Sequence, residues 1–427
     1  MGHSHLTNKI LNDPLYGFIR LESPLILNLL DHPLLQRLRY IRQLGMTYLV
    51  YPGATHSRLA HALGAMHLMQ NALDILQHKG YGLSLDDRLG ALGAILLHDL
   101  GHAPFSHALE GFLIQDMPHE EISLLLMQDL NEAMDGALDT AIDIFTNRHE
   151  LPFLHELVSS QLDMDRLDYL SRDSFFTGVT EGVIGVDRIL QMLDVHQGKL
   201  VVERKGVYSI EKYLMARNLM YWQVYLHKTV LSAEYLMGHI IRRARECRLA
   251  GLPIQISGDL AMFLDSPPNA DDFRNNPELR TAYARLDDAE IMVHLKTWAR
   301  SSEPLLQHLC GQLMQRRLSR VNFSTDKPDP QRIQMAGQAE ARRLGLEDEA
   351  IPYLAHAGIV KNAVYNPEHQ PIIIQDRQGK TQGLEALKDH AYCVDLLAKR
   401  TQYAQYLPKL DSSRPYTPSW DIQLGPI

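Results

Sequence analysis

The sequence predicts a mainly α-helical protein with one minor hairpin, followed by a smaller α/β region toward its C-terminal end. Apolar residues recur at three- and four-residue spacing through most of the first 320 positions, and glycines and prolines punctuate them where helices should end. Short β-branched runs cluster instead after a charged, proline-containing stretch, STDKPDPQ. Residues 8–22, NKILNDPLYGFIRLE, set Asp-Pro and Tyr-Gly ahead of an alternating run and read as a turn leading into a short strand. SPLILNLLDHPLLQRLRYIRQLG then reads as two consecutive helices, interrupted at Pro33 and stopped at Gly45. SRLAHALGAMHLMQNALDILQHKG and LSLDDRLGALGAILLHDLG carry the same period and end in glycine, as helix C-termini commonly do. The pattern continues through VSSQLDMDRLDYLSRDSFF and one long stretch, YLMARNLMYWQVYLHKTVLSAEYLMGHIIRRARECRLAG, with KLVVERKGVYSI reading as the hairpin. AHAGIVKNAVY and PIIIQDRQGK read as later strands. A boundary near residue 325 follows, with a helical domain over 1–325 and a small α/β domain over 326–427, since 427 residues exceed the size at which a single core stops growing.

Hydrophobic residues at 45% and charged residues at 22% exclude collagen-like, mucin-like and extensively disordered classes. No apolar run approaches the roughly 18 residues that indicate a membrane span. The start, MGHSHLTNKI, lacks the apolar stretch of a secretory signal, so a cytoplasmic address and no membrane partner are expected. Cys247, Cys310 and Cys393 lie far apart without a C-x-x-C spacing, which argues for buried spare thiols rather than a disulfide framework or a thiolate zinc site. A formal charge of −9 argues against nucleic acid as a partner but leaves room for a local basic pocket and a small anionic ligand. Of 21 histidines, His56, His61, His67, His78, His98, His102, His107 and His119 fall within one stretch, and that density points to a site.

ILLHDLGHAPFSHALE places His98 and Asp99 side by side at the end of an apolar helix, just before Gly101 and Pro104. Neighbouring helical residues point about 100° apart, so these two converge on one ion only where the helix end opens into a cavity. One imidazole and one carboxylate are too few for a catalytic metal, which needs about three or four protein ligands. An upstream source is His61 in THSRLAHALG; a downstream one is Asp165, on a segment where Asp163, Asp165, Asp168 and Asp173 crowd together.

Five separated segments, RLRYIRQLGMTYLVYPGATHSRLAHALG, LLHDLGHAPFSHALE, PHEEIS, LDMDRLDYLSRD and ARNLMYWQVYLHK, together resemble the HD-domain deoxynucleoside triphosphate (dNTP) triphosphohydrolase family, over residues 8–245. The resemblance implies a helical HD core and one divalent ion held by His61, His98, Asp99 and Asp165. Mixed nitrogen and oxygen ligation suits Mn²⁺, Fe²⁺, Zn²⁺ or Mg²⁺. It further implies hydrolysis at the α-phosphorus, giving a deoxynucleoside and triphosphate. In that chemistry His107 and His119 take acid/base positions, His102 faces the α-phosphate, and Glu110 stands where relatives carry an aspartate that orients a histidine. Arg58, Arg166 and Arg217 match phosphate-binding positions, Arg166 standing where the mammalian member has lysine. Gln43 and Asp173 match residues on the sugar 3′-hydroxyl, Tyr225 matches a residue closing the space of a 2′-hydroxyl, and Tyr169 is expected near the phosphates or sugar. Tyr221 departs from a histidine in the mammalian member, which bears on contacts there.

The resemblance also implies a homo-oligomer, dimer or tetramer. Lys9, Ile10, Asn12, Asp31, Gln36 and Arg39 match parts of an activator-nucleotide region between subunits, although the same residues also suit capping and stapling of the N-terminal segment. Two alternatives to a dNTP substrate stand beside it. One is an HD phosphohydrolase acting on another nucleotide, a monophosphate or a signalling nucleotide; no HHE…GYP pattern and no synthetase-like region accompany the motif. The other is a nucleotide-binding regulator with weak catalysis.

Overall fold

The computed structural model describes residues 9–362, 365–367, 370–387 and 400–409. At the N-terminal end β1 (Lys9–Asp13) and β2 (Gly17–Leu21) pair antiparallel, so the expected turn and strand are a complete hairpin. The Asp13 carboxylate accepts from Leu15 N and Tyr16 N at 2.9 and 3.1 Å and closes the turn. Helices α1 (Pro24–Asp31) and α2 (Pro33–Arg37) divide at His32–Pro33 as the sequence predicts. The second stops well before Gly45, in a 3₁₀ turn over Leu38–Tyr40. Beyond it the backbone is claimed by another segment: Gln43 N donates to His56 O at 3.0 Å and Arg58 N donates to Ile41 O at 2.9 Å.

The centre is built from α3 (Arg58–His78), α4 (Leu85–Leu97), α5 (His119–Ala133), α6 (Asp139–Phe145), α7 (Pro152–Val158), α8 (Met164–Thr177) and α9 (Val186–Met192). Polar caps fix where α3, α4 and α8 begin. The Ser57 hydroxyl accepts Ala60 N, Ser84 and Asp87 form a reciprocal capping box, and Asp163 accepts Arg166 N at 2.7 Å. Helix α3 is buried on most of its faces and packs against both α4 and α8. A Cβ at Gly64 would lie 2.0 Å from Asp168 Oδ1, so this glycine sets how closely α3 approaches α8.

The hairpin lies one strand earlier than KLVVERKGVYSI indicates: β3 (Leu193–His196) pairs antiparallel with β4 (Lys199–Glu203). Gln197 and Gly198 turn it with φ of 51° and 78°, as a two-residue hairpin loop matching the strand twist requires. Val207 then opens α10 (Val207–Met220) rather than a second strand. The long predicted helix is broken by a π turn over Tyr221–Tyr225, after which His227 caps α11 (Lys228–Leu249) by accepting Thr229 N. Such π turns occur often at functional sites.

Helices α12 (Gly258–Leu264), α13 (Ala270–Asn275), α14 (Pro277–Arg285), α15 (Asp288–Trp298) and α16 (Pro304–Met314) complete the helical body. There follow β5 (Arg320–Ser324), α17 (Pro330–Leu344), α18 (Ile351–Leu354), β6 (His356–Asn362), β7 (Ile373–Gln375), β8 (Thr381–Gly383) and β9 (Arg400–Leu407). The last strands lean on earlier ones. Strand β9 lies between β5 and β6, antiparallel to both, while β7 runs parallel to β4 and antiparallel to β8. One apolar core runs from Ile19 to Leu387, and a smaller cluster of Leu231, Val321, Val360, Ala404 and Tyr406 seats the β5–β9–β6 sheet on α11. The architecture is therefore a mainly α core with a smaller α/β region. Among the described residues no helix is long and apolar enough to cross a membrane. Cys247 and Cys310 are buried free thiols, and Cys393 lies outside the described residues.

Candidate metal centre and active site

Helix α4 ends at Leu97, and His98 keeps helical angles, φ −56° and ψ −31°, as its cap. The chain then curls: Leu100 N donates to Leu97 O and His102 N to Asp99 O. Gly101 permits the curl, because a Cβ there would lie 2.1 Å from His119 O and 2.4 Å from Ser123 N. The Ser123 hydroxyl fastens it, accepting Gly101 N at 2.8 Å and donating to His98 O at 2.6 Å. His98 and Asp99 thus open toward one point, as their place at a helix end requires.

His61, in the first turn of α3, and Asp165, in the first turn of α8, reach the same point. His61 Nε2 lies 3.1 Å from Asp165 Oδ1 and 3.6 Å from Asp99 Oδ2; His98 Nε2 lies 3.3 Å from Asp99 Oδ1 and 3.5 Å from Asp165 Oδ1. Both Nε2 atoms are buried and make no hydrogen bond among the described residues. Their other ring nitrogens are committed: His61 Nδ1 lies 2.8 Å from Asp168 Oδ2, and His98 Nδ1 lies 2.6 Å from Ile95 O. Those acceptors require the proton on Nδ1, which leaves each Nε2 a lone pair aimed inward. Two imidazole nitrogens and two carboxylates so arranged fit a borderline divalent cation. With protons in place of a cation, burial works against charge on His61, but the Asp165 and Asp168 carboxylates prevail and raise it to about 10. Burial likewise opposes ionisation of Asp165, and His61 and His98 hold it below its ordinary value.

Behind the ligands is a second layer that sequence reading did not assign. Asp168 is fully buried and takes a two-pronged bond from Arg172, Nε at 2.9 Å and Nη2 at 3.0 Å. Arg172 Nη1 donates to Asp13 at 2.8 Å, tying the N-terminal hairpin to the His61–His98 cluster through Asp168. The signal was present: Asp168 and Arg172 are spaced i, i+4 on the Asp165 helix, and Gly64 stands one turn beyond His61. On the other side Arg58 donates to Asp99 Oδ2 at 2.5 Å and to Ser106 Oγ at 2.8 Å.

Three further histidines stand beside the cluster. The Glu110 carboxylate bonds His107 Nδ1 at 2.7 Å and His119 Nδ1 at 2.8 Å, one oxygen to each ring. The His102 and His119 rings lie 3.8 Å apart, and His107 faces both at 5.1 and 5.4 Å. Burial opposes charge on His119, but Glu110 raises its pKa; Glu110 itself is held far down by the two rings despite its own burial. Burial and then the Arg58 charge push His102 well below the usual imidazole range, so it is neutral. His107, with 64% of its side chain exposed, is the ring that meets solvent. The group therefore pairs a neutral imidazole with a carboxylate-bridged pair able to hold and deliver a proton.

Asp173 anchors a third group: His56 Nε2 at 2.8 Å on one oxygen and Tyr225 OH at 2.8 Å on the other. Tyr225 comes from the π turn and faces Tyr169 and Tyr221 edge-on at 6.1 and 5.2 Å. Arg217 Nη1 donates to Gln161 Oε1 at 3.2 Å, and Arg166 Nε donates to Ser160 O at 2.6 Å, so the Ser160–Gln161 segment braces both cations. Gln43 Oε1 is buried without a partner among the described residues. The N-terminal residues stand elsewhere, in two local pairs: Lys9 with Asp31 at 3.4 Å, and Gln36, which bonds Leu30 O and accepts from Arg39. Ile10 and Asn12 stand in the β1–β2 ladder, opposite Arg20 and Phe18.

The chain is similar to several known proteins. Residues 184–250 match the family described as HD associated region. A crystal structure of a phosphohydrolase from Bacteroides thetaiotaomicron is 40% identical, with a TM-score of 0.89 over 94% of this chain and 100% of that one. A hypothetical protein from Aquifex aeolicus is 25% identical, with a TM-score of 0.69 over 94% of this chain and 97% of that one. An uncharacterized Bacillus subtilis protein, YwfO, is 31% identical over 73% of this chain and 71% of its own length. Human deoxynucleoside triphosphate triphosphohydrolase SAMHD1 is 30% identical over 52% of this chain, which spans 42% of the human protein.

Proposed function

Because the chain belongs to the HD-domain phosphohydrolase family, we propose that it hydrolyses deoxynucleoside triphosphates to a deoxynucleoside and triphosphate, using one divalent metal ion. The observation that supports this reading most is the pair of buried, lone-pair-bearing Nε2 atoms of His61 and His98 set against Asp99 and Asp165. A divalent ion held by these four groups would supply Lewis acidity toward the α-phosphate and lower the pKa of attacking water. The chain's own residues do the rest. Arg58, Arg166 and Arg217 neutralise the polyphosphate, which carries about four negative charges at neutral pH. Neutral His102 donates a hydrogen bond to the α-phosphate, and the His107–Glu110–His119 group delivers the proton that the departing 5′-oxygen needs. Asp173 and Gln43 take the 3′-hydroxyl, while Tyr225, fixed by its bond to Asp173, fills the space a 2′-hydroxyl would occupy and Tyr169 flanks it.

The same reading takes the protein as a cytoplasmic homo-oligomer, with residues 1–325 as the catalytic unit and 326–427 as a small α/β unit leaning on β5 and β4. Lys9, Asn12, Asp31, Gln36 and Arg39 are the candidates for an activator site. The test is product analysis: protein loaded separately with Mn²⁺, Fe²⁺, Zn²⁺ or Mg²⁺ is incubated with single and mixed dNTPs. Inorganic triphosphate together with deoxynucleoside is the expected outcome, and turnover confined to mixtures would place an activator in the scheme. Release of pyrophosphate or orthophosphate, or turnover only of monophosphates or signalling nucleotides, would overturn the substrate assignment.

A further inference from the structure

The loop that carries His102 and His107 is held in a conformation that its own sequence disfavours. Phe105 and Ser106 both have φ of 56°, left-handed backbone that non-glycine residues rarely adopt. Such a residue is strained and persists only where its surroundings over-determine it. Those surroundings come from the junction of α14 and α15, outside the helices that supply the ligands. The Asp288 carboxylate, 7% exposed, accepts Phe105 N at 2.6 Å on one oxygen and Arg42 N at 3.0 Å on the other. Tyr283 OH donates to Gly101 O at 2.8 Å. Buried Arg37 donates to Leu286 O, Leu100 O and His102 O at 2.8, 3.1 and 3.0 Å, so it joins the same junction to the loop.

Two features make Asp288 the centre of this brace. The two N–H groups that donate to it sit on separate stretches of chain, one residue before Gln43 and two before His107, so a single carboxylate sets the spacing between a substrate-binding side chain and an acid/base side chain. A second link repeats the connection, since Ser106 Oγ donates to Arg42 O at 2.7 Å and accepts Arg58 Nε. A buried carboxylate whose oxygens serve backbone N–H groups of an active-site loop is more than helix capping requires. Asp287, beside it, already caps α15 by accepting Glu290 N.

We infer that Asp288 is a positioning residue for the reaction, holding the His102–His107 loop in register with Gln43 through the backbone N–H groups of Phe105 and Arg42. The inference rests on the proposed function for its kinetic arm only. The test compares full-length, metal-loaded wild type with Asp288→Asn and with Asp287→Asn. It measures metal content, kcat and KM on dNTPs, and the ¹³Cε1 histidine resonances without substrate. Asp288→Asn should keep its metal, lose about 10- to 100-fold in kcat, the penalty of a small misplacement of reacting groups, and displace the His102 and His107 resonances. Asp287→Asn should match wild type in all three. Should Asp288→Asn fail to fold, Ser106→Ala, which cuts the second link, should displace the same two resonances. Unmoved resonances with kcat within twofold of wild type would overturn the inference. If wild type does not turn over dNTPs, the substrate assignment fails, while the resonances alone still decide the role of Asp288.

Discussion

Asp168→Asn separates two contributions that the structure joins in one carboxylate. The change preserves shape but removes the charge shared by His61 Nδ1 at 2.8 Å and Arg172 at 2.9 and 3.0 Å, all within a fully buried site. Removing one partner of a buried ion pair costs about 3–5 kcal/mol, and because Arg172 keeps Asp13 the lower end, about 3 kcal/mol, applies. A domain with about 5–15 kcal/mol in hand stays folded after such a loss. The same substitution frees the His61 ring to rotate and change tautomer, and loss of an outer-layer partner weakens metal affinity by about 10- to 100-fold. Urea denaturation of metal-free protein reads the first quantity and calorimetric Mn²⁺ titration the second. Burial opposes ionisation of Asp168, but Arg172 and His61 hold its pKa below the ordinary 3.8. Its contribution is therefore complete above pH 3.8 and fades as pH falls through the depressed value, so the two urea curves should converge in acid. A stability loss with metal affinity unchanged within twofold would refute the claim that Asp168 aims His61 at the metal.

Glu110→Gln should move the alkaline limb of the kcat/KM profile to lower pH, because the carboxylate is what raises His119 against its burial; an unmoved limb would contradict the assignment. That raised value also lends stability that is full below pH 6.5 and is lost as pH rises through it, so the variant should lose most stability in mild acid, read by thermal melts. Gly101→Ala puts a methyl group 2.1 Å from His119 O, backbone that cannot swing aside, and should cost about 1–3 kcal/mol on thermal denaturation while abolishing turnover. Tyr225→Phe removes the 2.8 Å bond to Asp173 and should lower kcat/KM on dNTPs by about 5- to 30-fold, equivalent to about 1–2 kcal/mol, while narrowing discrimination against ribonucleotides in competition assays.

The sequence made the helical character legible for a physical reason, and it offered the four candidate metal ligands through a helix end and a family resemblance. His98 and Asp99 sit where an apolar period meets Gly101 and Pro104, and a helix end is where neighbouring side chains can converge. His61 and Asp165 are named by the family resemblance; the structure sets each in the first turn of a helix that follows a capping residue, Ser57 and Asp163. What stayed hidden was tertiary. The aspartates crowded along α8 and at its cap divide their labour by the direction each faces: Asp163 caps, Asp165 faces His61 and His98, Asp168 supports His61, and Asp173 takes His56 and Tyr225. Local spacing pairs Asp168 with Arg172 at i, i+4 but does not state which side chain packs behind His61. The hairpin falls one strand earlier than propensity indicates because Val207 and Ile210, which suit a strand, are packed against the core as part of α10, with Tyr208 on its exposed face. The break at Tyr221–Tyr225 has no counterpart in the sequence pattern because a π turn carries no glycine or proline signal. Asp288 lies nearly two hundred residues from the loop it braces, a pairing only folding creates.

Whether His61, His98, Asp99 and Asp165 cage a single cation is read by elemental analysis after Mn²⁺ loading and desalting of wild type and Asp165→Ala side by side. One ion per wild-type chain and next to none in the variant is the expected result, with both chains folded by circular dichroism. Equal metal in the two proteins would contradict it.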